Sequence, residues 1–231
     1  VLFFVNQNSG PDSSIEITPI GSSADVFIDR NRTTSLERYR PTTYQVNTGR
    51  HQIIVAKNGY WPWTDSLATE SSEVKTLHPF LIEQTGQRAI QVPTSITDDL
   101  AAKQQQLAPT ADSPITSPDG NIKIFVDNET NIIAQWTTGT STAPDYFNCR
   151  AGICGVSVYN NQPVLDISFY PERSDVIFFA TNTGVYAIEV DPSSDTQNFQ
   201  PVAENVSNPL FVFDNNRIFV STNGRVTVSE I

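Results

Sequence analysis

The sequence predicts an all-β protein: a small β-sandwich domain, then a propeller-like multi-meander β domain, with a short helical linker between them. Three observations carry this expectation. Apolar residues alternate in short runs broken by polar turns, the period of half-buried strands. A proline-punctuated polar stretch interrupts the alternation near the middle of the chain. A single short window has the caps and length of a helix.

The opening Val1-Leu2-Phe3-Phe4-Val5 is apolar and turns polar at Asn6. It reads either as the last turn of a membrane anchor or as a short leading strand, and residues 1–14 are set apart for that reason. The chain starts at Val1 and contains no Met, which predicts processed or truncated material. No other stretch approaches the roughly 20 apolar residues that a membrane helix needs.

Residues 15–84 form the first predicted domain. Ile15 and Ile17 alternate around Glu16, Val26 and Ile28 flank Phe27, Tyr44 and Val46 follow, and Gly49 breaks the run. Ile53 and Val55 share a strand face, Asn58-Gly59 signals a turn, and Val74, Leu77 and Phe80-Leu81-Ile82 close the segment. Residues 85–118 carry Pro93, Pro109, Pro114 and Pro118 and predict the linker. Within it Thr97 is the expected N-cap, Asp98 and Asp99 the first turn, and Leu100 to Leu107 the body, with Pro109 as the stop.

From 119 to 231 strands return as meanders. Ile122–Val126 and Asn131–Trp136 flank the turn Asp127-Asn128-Glu129-Thr130. Val164–Phe169, Asp175–Ala180 and Gly184–Val190 make one three-strand set, and Leu210–Phe213, Arg217–Val220 and Arg225–Val228 another. Strand, polar turn, strand, Asn/Gly turn, strand is the grammar of a propeller blade. Two to three blades are visible, so the expected ring is partial.

Charge and cysteines narrow the partners. Fourteen Lys and Arg against 25 Asp and Glu give a net charge of −11. Phosphate backbones and anionic membrane surfaces repel such a chain, which argues against nucleic acid. Cys149 and Cys154 are the two cysteines, with turn-permitting Gly152 between them, so a hairpin disulfide is expected. Four intervening residues exclude a redox Cys-X-X-Cys, and two thiols are too few for a closed zinc site.

The first region resembles a PEGA domain, a β-sandwich-like module of bacterial envelope and surface-layer proteins. The resemblance rests on Ala24-Asp-Val-Phe-Ile-Asp29, on Thr48-Gly49-Arg50-His51 leading into Ile53 and Val55, and on Asn58-Gly59-Tyr60. It departs at Pro19–Ala24, where the naming motif is lost, and at Arg30, where a Gly is usual. The second region is similar to part of a TolB-type propeller through Ser117-Pro118-Asp119-Gly120 and the looser Phe169-Tyr170-Pro171-Glu172-Arg173-Ser174-Asp175. Together these imply an extracytoplasmic protein of the cell surface or periplasm, tied to the membrane only through an N-terminal anchor outside this chain. No established activity comes with the resemblance.

Motifs of catalysis do not occur: no Gly-X-Ser-X-Gly elbow, no phosphate loop, no His-Glu-X-X-His. His51 and His78 are expected to be structural, at a sheet edge and possible partners of each other. Asp127 to Asn131 spaces oxygens as a calcium loop does but has Ile132 where the sharp turn needs Gly, so it reads as a hairpin turn. Trp136 reads as core. Tyr60, Trp61 and Trp63 are the candidate binding residues: on a strand, 61 and 63 share a face, where paired indoles stack on sugars or anchor a protein. The alternative is that they cap the sandwich core. The expected function is a non-catalytic envelope module that binds or scaffolds a cell-wall, glycan or protein partner, without metal or cofactor. The competing readings are a propeller-type hydrolase or lyase and a truncated receptor ectodomain.

Overall fold

The computed structural model describes residues 11–84, 92–104, 108–192 and 197–231. The expectation for Val1–Val5 lies outside them. Among the described residues strands dominate, in several small and mainly antiparallel sheets with one α-helix, so the molecule is all-β as its alternation predicts. The chain divides into two compact units: residues up to 58 with 62–81, and 59–61 with 82–231.

The first unit holds β1 (Ser13–Ile17), β2 (Asp25–Ile28), β3 (Asn31–Arg32), β4 (Thr42–Val46), β5 (Gly49–Ala56), β6 (Trp63–Thr69) and β7 (Val74–Leu77). They form a three-stranded sheet in the order β4-β1-β7 and a four-stranded sheet in the order β3-β2-β5-β6. β1 runs antiparallel to β4 and parallel to β7. Alternation decides the inside: Ile15 and Ile17, Val26 and Ile28, Tyr44 and Val46, and Ile53 and Val55 are all buried. The turn after β2 places both Asp29 and Arg30 at positive φ, 51° and 68°. Arg30 thus adopts there a conformation that Gly takes without strain.

The second unit begins with α1 (Thr94–Lys103). The helix starts three residues before the expected cap. Pro93 takes the N-cap position, and Thr97 lies inside, its hydroxyl bonded back to the Pro93 carbonyl at 3.3 Å. The physical reason is the Ile96/Leu100 pair, one turn apart, which packs on Val212 and Phe219. Leu107 lies outside the described residues. A stretch expected to be linker therefore carries packed structure of the second unit, and β8 (Ile115–Thr116) extends that structure by pairing with the next strand.

Three sheets complete the unit. β9 (Ile122–Asp127), β10 (Asn131–Trp136), β11 (Asn148–Arg150) and β12 (Ile153–Asn160) join β8 in the order β11-β12-β10-β9-β8. β13 (Val164–Phe169), β14 (Val176–Thr181), β15 (Gly184–Glu189) and β16 (Phe199–Glu204) form the second sheet in sequence order, and β17 (Leu210–Asp214), β18 (Arg217–Thr222) and β19 (Arg225–Glu230) the third. The meanders fall where the alternation put them. β11, β12 and β16 are additions, although Cys154, Val156 and Val158 already alternate in β12.

Every residue of β14 is buried, because the strand is covered on both faces. Ile177 and Phe179 point to a core shared with Ile124, Ile132 and Val156 of the first sheet. Phe178 points the other way, its ring 5.1 Å from Phe213 and 6.4 Å from Phe211 of the third sheet. The middle sheet is thus sandwiched between its neighbours, which explains a continuous apolar run in place of alternation. The two Asp-containing turns meet beside this stack. Asp119 accepts from the Ser117 hydroxyl at 2.6 Å and the Asn121 amide at 3.1 Å, and Ser174 of the second turn also bonds to it. Burial opposes ionisation of Asp119, but these donors outweigh it and hold the carboxyl at about 2.

Candidate functional site

The predicted aromatic platform is divided. β6 begins at Trp63, opposite Val55, so Trp61 precedes the strand and the two indoles do not share a strand face. Pro62 is the cause, since it has no N–H to continue a ladder. Trp63 is 3% exposed and belongs to the first unit. Tyr60 and Trp61 cluster with the second unit. Tyr60 bridges to Glu83 and donates its hydroxyl to Glu230 at 3.0 Å, and the Trp61 amide donates to the Ile82 carbonyl at 2.9 Å. Both residues are partly exposed. Trp63 takes the core-capping alternative, and Tyr60 with Trp61 is what remains for contact.

Cys149 and Cys154 are disulfide-bonded, directly opposite each other on β11 and β12. Ala151 and Gly152 both have positive φ, 50° and 85°, the backbone that a two-residue hairpin requires. Closing so short a loop removes little chain entropy, so reduction is expected to cost only about 2 kcal/mol. Alkylation of the denatured, unreduced protein should find no thiol, and two after reductant. Two reactive thiols before reduction would show that the bond does not form.

Folding assembles a second constellation from residues far apart in the sequence. Lys103, at the end of α1, places its ammonium 2.6 Å from the Asp166 carboxylate on β13 and 5.0 Å from the centre of the Phe211 ring. The side chains are 22% and 12% exposed. Burial raises the Asp166 carboxyl above its ordinary range, and the Lys103 charge only partly offsets this. Lys103 also lines a groove of about 340 Å³ with Asp99, Ser168 and Phe213 among others. A carboxylate inside an apolar strand, Val164-Leu-Asp-Ile, was the available signal. Chemically the arrangement ties the helix to the sheet, because each charge is already neutralised by the other.

His51 lies on β5 beyond the last residue that β2 pairs, opposite Leu67 of β6, and its side chain meets Asp29 and the Asn47 carbonyl, while His78 bonds Thr18. Asp127 to Asn131 forms the β9–β10 hairpin turn, in which the Asn128 side-chain amide donates to Asp127. Trp136 is half-buried against the first-sheet core. No described helix is long and apolar enough to cross a membrane. No protein-family model and no curated protein matches the chain.

Proposed function

We propose that this chain is a non-catalytic binding or scaffolding module of the cell envelope, working outside the cytoplasm. The observation that carries the reading is the Cys149–Cys154 disulfide, because such bonds persist in oxidising compartments and are rare in reducing ones. The two-sheet first unit supports a PEGA-like sandwich, and the three successive stacked sheets of the second support a partial array of propeller blades. The internally neutralised Lys103–Asp166 pair favours a scaffolding role for the groove over acid–base chemistry. Tyr60 and Trp61 are the proposed contact residues for a protein or glycan partner, since aromatic side chains with one face accessible anchor such contacts.

The test is retention on isolated cell envelopes. Trp61→Ala is expected to weaken retention at least fivefold while changing stability by about 1 kcal/mol or less, since the ring is only partly buried. Equal retention of variant and parent would remove Trp61 from the contact surface. Absence of any retention by the parent protein would overturn the envelope-binding reading itself.

A further inference from the structure

The first unit contains a histidine whose surroundings accept only one protonation state. His51 is buried, with 7% exposure. Its Nδ1 lies 2.7 Å from the Asp29 carboxylate and its Nε2 lies 2.7 Å from the Asn47 carbonyl oxygen. Both partners are acceptors with no proton to give. Both ring nitrogens must therefore donate, which requires the imidazolium.

The two partners sit on different turns. Asp29 belongs to the turn between β2 and β3, and its other carboxylate oxygen accepts the Gln52 amide at 3.0 Å. Asn47 belongs to the turn between β4 and β5, and its carbonyl also accepts the Thr69 hydroxyl at 3.1 Å. One ring thus bridges two loops through its charge. The first of those loops is strained, with Asp29 and Arg30 both in the left-handed region. Of the charged groups nearby, Asp29 pairs with the ring. Arg50 turns to Ser66 on β6, and Asp12 is held by the Thr48 amide and hydroxyl.

We infer that His51 is a pH-sensitive clasp: its imidazolium holds the 29–30 and 47–49 turns closed, and loss of the ring proton releases them. Once neutral, the ring can donate to only one of the two acceptors, leaving the other facing a lone pair. The clasp opens locally, in loops, while the sheet that β5 completes stays paired.

The sign of the pH dependence follows. Burial disfavours the charged ring, but the Asp29 hydrogen bond, the Asn47 carbonyl and the Asp29 charge outweigh it, so the His51 pKa is raised above 6.5. A raised folded-state value places the full contribution below the unfolded value and removes it as pH climbs through the folded one. Asp29 has its own lower limit: burial opposes ionisation, but the Gln52 amide and His51 prevail, so its carboxyl stays below 3.8. The clasp is closed between these two values.

Nitrogen-15 NMR of the histidine ring in the intact chain is the direct test. Two protonated ring nitrogens on His51 are expected at pH 6, with the neutral ring appearing only above pH 6.5. Over the same range, amide exchange protection of Gln52 and Thr48 should fall by up to about tenfold per pH unit, after correction for intrinsic exchange. His51→Gln should show no such dependence. A neutral ring at pH 6, or protection that falls equally in His51→Gln, overturns the clasp. The ring measurement uses the parent protein, so it decides even if the variant fails to fold.

Discussion

Replacing Trp63 with Ala is expected to destabilise the protein by about 3–5 kcal/mol, the cost of truncating a large buried ring and leaving a cavity. Trp63 opens β6, pairs in register with fully buried Val55, and is itself 3% exposed. A close-packed interior relaxes only partly around a deleted indole, so a cavity persists. Trp63→Phe keeps most of the apolar area and should lose clearly less. Urea unfolding followed by far-UV circular dichroism measures both. A loss below about 1 kcal/mol for the Ala variant would place the ring at the surface and overturn its assignment to the core.

A comparable loss is expected when the buried ion pair is broken from one side. Lys103→Met leaves the Asp166 carboxylate in an apolar strand without its cation, at a cost of about 3–5 kcal/mol. The double variant Lys103→Met with Asp166→Leu should return to within about 1 kcal/mol of the parent, since removing both charges also removes their desolvation. The deficit of Lys103→Met should depend on pH. Burial already raises the Asp166 carboxyl above 3.8, and losing Lys103 raises it further, so the unpaired group becomes neutral as pH falls. A raised folded-state value means that stability present at low pH is lost as pH rises. The single variant should therefore lie nearer the parent at pH 4 than at pH 8. A constant deficit would assign the loss to packing of the Lys103 stem on Phe211.

The division between local and distant causes is plain in particular residues. Alternation located the strands around Ile15, Val26, Tyr44, Ile53 and Ile124, because a half-buried strand repeats every second residue, and short apolar runs bounded by polar turns located those around Phe179 and Phe219. Cys149 and Cys154 were equally legible, since a five-residue separation with Gly152 between them sets a hairpin whatever surrounds it. What the residues could not declare is which long-range partner each polar group meets. The two histidines are open to pairing by sequence, yet the partner of His51 is Asp29, brought beside it when β2 pairs with β5. Asp166 meets Lys103 across 63 positions of chain, and no period encodes such a meeting. α1 begins early because Ile96 finds Val212 and Phe219. By itself the sequence determined the all-β class, most strand positions and the hairpin disulfide, all of which depend on neighbours within a few residues. Only the tertiary structure decided that Trp63 is core, that Trp61 is not, and which charges are paired, because burial and ion pairing are properties of segments brought together by folding.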